Sequence, residues 1–245
     1  MSRQSRTYSD SKVYHIMFRG VNYQNLFEEE QDYKKLIETI LCVKAEMNFQ
    51  IYAYCFMTNH VHLVLKERNA KDISLIMKRI LTKYSRWYNI KYCRTGALIA
   101  NRYKSVPVEI DEYFLNLIRY VHQNPLKAGI VSDISNYKYC SYNEYIHKQL
   151  LTDTDFVMEM MNIKEFKEFH LELEKYNFKI SDGKKKTDEA LTWDIKREFG
   201  IENPKQISKL EKSQRNYILR KLKEEYPIRQ LQRITGVSRG VISKL

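Results

Sequence analysis

The sequence predicts an α+β fold, one antiparallel sheet built in the order β-α-β-β-α-β and followed by an all-α module. Three observations predict it. Four short segments are rich in strand-forming apolar residues, and the stretches between them repeat apolar residues at helical spacing. The second and third strand segments are joined by a two-residue turn, Thr58-Asn59. Towards the C-terminus the strand signals stop and helical periodicity takes over. We read residues 1–149 as the first domain, 150–189 as a helical connector and linker, and 190–245 as the all-α module, with the polar run Asp182 to Lys186 as its exposed joint.

The first strand is the apolar run Val13 to Phe18, closed by the turn signal Arg19-Gly20. Leu36, Ile37, Ile40, Leu41 and Val43 give the first helix between Asp32 and Met47. Gln50 to Met57 and His60 to Leu65 are aromatic and β-branched, and form a hairpin. Asp72 is placed to cap a second helix that buries Ile73, Ile76, Ile80, Tyr84 and Trp87, while Lys78, Arg79, Lys83 and Arg86 cover its other faces. Strand four runs from Tyr103 to Ile110. The order is that of a ferredoxin-like (RRM-like) sheet with helices on one face and the opposite face open to a ligand. A third helix opens at Asp111 as N-cap, with Glu112 near the positive end of the dipole, and must stop near Pro125.

Composition bounds the function. The chain has 245 residues, 43% hydrophobic, enough for a real core and without any run of the eighteen or so apolar residues that a membrane span needs. The polar N-terminus lacks a secretory apolar stretch, so a cytoplasmic, nucleoid-associated protein is expected. Cys42, Cys55, Cys93 and Cys140 stand far apart and read as reduced, mostly buried thiols, neither a zinc cage nor a disulfide framework. A formal charge of +12 favours a polyanionic partner. The excess is split, with roughly +7 before residue 148 and roughly +7 after residue 189, flanking an acidic connector.

The period of two puts His60 and His62 on one strand face, with Val61, Leu63 and Leu65 on the other. Their Cα atoms are then about 7 Å apart, close enough for both imidazoles to share one cation. Such a pair is equally compatible with polar surface until a further ligand is found. In the third helix Phe114, Leu117, Ile118 and Val121 form a narrow apolar stripe, with Tyr120 and Asn124 four residues apart at its flank. A phenol is a weak nucleophile at its ordinary pKa of about 10, and a neighbouring metal or base would favour its phenolate. The Asn124 carboxamide could complete the coordination, although a residue before proline is biased away from helical geometry. Any one of nineteen tyrosines can also be a packing residue with a wet hydroxyl, so the combination carries the reading.

Tyr14-His15-Ile16 through Arg19-Gly20, Met57-Thr58-Asn59-His60-Val61-His62, and Tyr120 through Gly129 together resemble the REP-associated tyrosine transposases and the related single-strand insertion-sequence transposases, which share the HUH nuclease fold. The resemblance covers roughly Tyr14 to Tyr145. It implies that His60, His62 and Asn124 hold Mg²⁺ or Mn²⁺ and that Tyr120 attacks DNA, with no second tyrosine because Asn116 stands one turn earlier. It also implies transesterification through a 5′-phosphotyrosine, without nucleotide; no GxxxxGK[ST] loop occurs. His122 and Gln123 are weaker ligand candidates; His122 lies about 200° around the helix from Tyr120 and reads as packing or surface.

Single-stranded DNA, in hairpins or repeat ends, fits the abundance of aromatic and basic residues, with Arg19, Lys78, Arg79, Lys83, Arg86, Arg102 and Lys104 as candidate contacts. The C-terminal run Ile228 to Leu245 resembles a helix-turn-helix for duplex DNA. There Gly236 makes the turn, Ser238 caps the second helix, and Leu231, Val237, Ile242 and Leu245 pack, which leaves Arg239, Gly240, Ser243 and Lys244 for a groove. Gln232 departs from the small residue that such motifs often carry, and a helical hairpin is the alternative. Thr187 to Phe199 and Pro204 to Glu225 read as further helices. A non-catalytic nucleic-acid-binding regulator and a water-using phosphodiesterase remain open, as do monomer and homodimer.

Overall fold

The computed structural model describes residues 8–109, 112–172, 188–226 and 228–244. Strands β1 (Val13–Arg19), β2 (Gln50–Met57), β3 (His60–Lys66) and β4 (Lys104–Val108) alternate with helices α1 (Glu30–Met47) and α2 (Ile73–Lys91) in the expected order. All pairings are antiparallel and the strand order is β2-β3-β1-β4, the ferredoxin-like arrangement. Alternation along the strands divides the core in two. Tyr14, Ile16, Phe18, Tyr54, Phe56, Val61, Leu63 and Leu65 bury one face under α1 and α2. The other face carries Val13, Ala53, Cys55, Met57, Val64 and Val108. Against it pack α3 (Glu112–His122) and the elements that follow: α4 (Asn124–Lys127), α5 (Tyr142–Ile146), α6 (Asp155–Met158) and α7 (Ile163–Leu171). The face expected to be open is therefore largely roofed, because Phe114, Leu117, Ile118 and Val121 form an apolar stripe that needs a sheet to cover it.

The chain divides into two compact units, Met1–Ile180 and Ser181–Leu245. The second contains α8 (Asp188–Phe199), a 3-10 segment (Pro204–Lys209), α9 (Lys212–Glu225), α10 (Ile228–Thr235) and α11 (Arg239–Ser243) around a core of Leu191, Ile195, Leu219, Leu231, Val237 and Ile242. Pro204 to Glu225 is thus two helical pieces. Gly236 makes the turn before α11 with φ +74, and Gln232 is exposed, so its bulk does not hinder the close approach of α10 and α11. Ser238 precedes α11 in extended geometry but makes no side-chain cap bond. Among the described residues no helix is long and apolar enough to cross a membrane.

Several local expectations are corrected. Asp72 does not cap α2; the Glu67 carboxylate accepts from the backbone N–H of Ile73 and Lys71, at 2.6 and 3.0 Å. Tyr88 completes the buried stripe of α2, and Trp87 is only half-buried. Strand four is shorter than expected: Tyr103 precedes it, and Ile110 lies outside the described residues, as do Asp111, the Asp182 to Lys186 joint and Leu245. Cys55 and Cys140 are buried, but Cys42 and Cys93 are exposed.

Candidate active site

In an antiparallel ladder, residues directly opposite one another project to the same face. Arg19 lies opposite His60, Met17 opposite His62, and His15 opposite Val64. Cys55 and Met57 of β2 flank the same two histidines. His15, Arg19, His60 and His62 therefore share the face roofed by α3. The His60 and His62 rings stand edge to face with centroids 5.2 Å apart. His60 Nδ1 meets Asn59 Oδ1 at 2.7 Å, and His62 Nδ1 meets His15 Nε2 at 3.0 Å. His15 and His62 are stacked and buried, whereas His60 is half-buried at the end of the strand.

Helix α3 lowers Tyr120 onto this cluster. Its ring lies edge-on to His62 at 5.8 Å and to His15 at 6.0 Å between centroids, with 8% of the residue exposed. The same chain supplies all of these groups. Asn124 is the first residue of α4, where Pro125 is tolerated because the N–H it lacks has no intrahelical partner in a first turn. The Asn124 Nδ2 group donates to the carbonyls of Tyr120 and Val121, at 2.9 and 3.3 Å, and so satisfies carbonyls left open at the end of α3. Its carboxamide oxygen takes no part in those bonds. The Lys127 ammonium lies over the Tyr120 ring, 4.7 Å from its centroid.

Burial sets the electrostatics. It holds His15 down to about 3, and it holds His62 well below its ordinary value, with His15 and His60 adding to the effect. Both imidazoles are held neutral at physiological pH, and in the bond between them one ring donates its N–H while the other accepts with its lone pair. Burial raises the Tyr120 phenol, so it is protonated at rest and needs positive charge nearby to become a nucleophile. Among the described residues no three His, Cys, Asp or Glu side chains are grouped to hold a metal. Imidazole nitrogens and a carboxamide oxygen, the groups His60, His62 and Asn124 carry, are donor types that suit a divalent cation completing its shell with water or phosphate.

The other sequence candidates separate. Arg19 and Lys104 flank the histidine face, because Lys104 pairs with Met17; the Arg19 guanidinium lies over the Tyr23 ring at 4.4 Å. Arg102 is exposed just before β4. Lys78, Arg79, Lys83 and Arg86 belong to α2, which packs on the opposite sheet face, and Arg79 and Lys83 both pair with Glu46 of α1. These four do not line the site. His122 is packing: it is fully buried and bonded to Ser141 Oγ and to His170. The Gln123 side chain is likewise used, donating to the carbonyls of His170 and Glu172. In the second unit Arg239, Gly240, Ser243 and Lys244 are all exposed. The site residues that sequence reasoning missed are His15, Asn59 and Lys127. His15 did leave a signal, as the polar residue inside the otherwise apolar run Val13 to Phe18.

Residues 8–124, which include all four strands, both paired histidines, Tyr120 and Asn124, match the family described as "Transposase IS200 like". That stretch belongs to the IS200-like transposase family. Membership of this HUH family implies DNA nicking in transposition for the IS200-like domain. Among solved structures, the REP-associated tyrosine transposase bound to a REP hairpin is 19% identical, with 61% of this chain and 88% of that one covered at a TM-score of 0.52. That likeness is one of fold. A protein assigned as a transposase in Deinococcus radiodurans r1 is 16% identical, with 56% of this chain and 98% of its own covered at a TM-score of 0.35. No curated protein matches the chain.

Proposed function

We propose that this IS200-like domain nicks and rejoins single-stranded DNA, with Tyr120 as nucleophile. The observation that carries the proposal is the Tyr120 ring held edge-on to His62, 5.8 Å between centroids, by the packed helix of the same chain. His60, His62 and the Asn124 carboxamide oxygen would hold a divalent cation, Mg²⁺ or Mn²⁺, whose chemistry when bound is to draw charge from a non-bridging phosphate oxygen. Tyr120 Oη forms a bond to the scissile phosphorus as the bond to the 3′-oxygen breaks. The phenol gives up its proton and the departing 3′-oxygen gains one, leaving a 5′-phosphotyrosine and a 3′-hydroxyl. One phosphoester replaces another, so a 3′-hydroxyl can reverse the step without a nucleotide. Lys127 sets a positive charge beside the ring where negative charge gathers.

Arg19, Lys104 and Arg102 are the basic residues we assign to the single strand on this face, and a hairpin is the substrate form favoured by the REP-bound relative. The second unit is read as a duplex-binding module, with Arg239, Ser243 and Lys244 on its exposed helix. The test uses end-labelled hairpin DNA from repeats flanking the gene, with Mn²⁺ and the full chain. Wild-type protein is expected to give a nicked strand and a covalent adduct, and Tyr120→Phe to give neither while still retarding the hairpin. A non-catalytic regulator predicts no cleavage by either protein. A water-using phosphodiesterase predicts that Tyr120→Phe still cuts.

A further inference from the structure

The two histidines of the strand are each engaged through Nδ1, by different devices. Asn59 Oδ1 can only accept, so the proton on the shared line at 2.7 Å sits on His60 Nδ1, and Nε2 carries the lone pair of that ring. His62 Nδ1 meets His15 Nε2 at 3.0 Å, where one proton must serve two nitrogens. If His15 accepts, His62 carries Nδ1–H and presents Nε2 as a ligand, in the same form as His60. If His15 donates, His62 carries its other proton on Nε2 and cannot bind a cation there.

We propose that His15 is a positioning residue that accepts the His62 Nδ1 proton and holds that ring with Nε2 available to the cation. This rests on the cation reading above. The geometry favours positioning over direct ligation, since the His15 Nε2 atom is already spent on His62. The two rings are stacked at 5.3 Å, with His15 2% and His62 5% exposed, so no water competes freely for the bond. The pairing of β1 with β3 fixes the arrangement: Met17 lies opposite His62, and His15 follows on the same face two residues along. Partners of this kind orient a ligating imidazole, and their loss typically lowers metal affinity by about 10- to 100-fold.

The experiment titrates Mn²⁺ into DNA-free full-length protein by calorimetry, with His15→Gln and His15→Leu beside the wild type. Glutamine keeps an acceptor near the position of Nε2, and leucine removes it at similar size. His15→Gln is expected to bind close to wild type and His15→Leu about 10- to 100-fold more weakly. Unchanged affinity in His15→Leu overturns the assignment, and so does an equal loss in both variants, which would make the His15 ring itself a ligand. Because His15→Leu could fail to fold, ¹⁵N-edited imidazole NMR of the metal-free wild type reads the tautomer independently. Nδ1–H on His62 supports the proposal and Nε2–H overturns it. Absence of Mn²⁺ binding by the wild type would remove the cation reading and this proposal together, whereas wild-type binding that His15→Leu leaves unchanged removes the proposal alone.

Discussion

Burial makes the Tyr120 phenol harder to ionise, a cost the proposed nucleophile has to overcome. Positive charge would offset that cost, and the Lys127 ammonium lies over the ring, 4.7 Å from its centroid. Truncation of a cation over an aromatic ring costs about 0.5–2 kcal/mol, so Lys127→Ala is expected to slow single-turnover cleavage by roughly 2- to 30-fold, and Lys127→Arg to restore most of it. Equal rates in wild type and Lys127→Ala would remove that role. The residues that could be read in advance share a simple property. His60 and His62 are two apart on a strand, and Tyr120 and Asn124 are four apart across the short junction of α3 and α4, so spacing along the chain brings each pair together. His15 reaches His62 through strand pairing across 47 positions of sequence, which no local pattern reveals.

Helix α3 is held from both sides, and its outer side is as specific as its inner one. Arg119, buried one residue before Tyr120, donates to the Phe169 carbonyl, to Glu172 and to Asn116. Gln123, just after α3, donates to the carbonyls of His170 and Glu172, so it and Arg119 satisfy carbonyls left open at the end of α7. Arg119→Met should remove the donor to the buried Asn116 side chain and to the Phe169 carbonyl and lower stability in urea by about 1–3 kcal/mol. A variant with the wild-type midpoint would show that α7 does not brace α3. The elements themselves were legible because apolar spacing is a strong signal, but their ends were not. Asp72 looked like the cap of α2, yet Glu67, arriving from the end of β3, takes that role. The basic residues of α2 are candidate DNA contacts by composition, and the structure places α2 on the sheet face away from the histidines, which helical spacing alone does not reveal.

Across the first unit, the order of hydrophobic patterns was sufficient to predict the sheet, since antiparallel hairpin and crossover rules leave few arrangements. It was not sufficient to predict how fully the second face would be roofed: the α3 stripe was legible, but α4, α5 and α6, which add to the cover, are too short to show a helical period. The roof contains a buried imidazole pair, His122 with His170, remote in role from the reacting groups. Burial holds His122 well below the ordinary histidine value and His170 to about 4. The unfolded chain therefore takes up these protons first as pH falls. Their contribution is complete above about pH 6.5 and is lost as pH drops towards 4, by up to about 1.4 kcal/mol per histidine per pH unit. Thermal melts should show a falling midpoint from pH 7 to pH 5, and a flat profile would contradict this. The central claim, that Tyr120 becomes joined to DNA, is tested most directly by trapping the adduct with Mn²⁺ and a hairpin strand, digesting the protein and sequencing the modified peptide by mass spectrometry. The account predicts a 5′-phosphonucleotide on Tyr120; cleavage without any adduct, or an adduct on another residue, would contradict it.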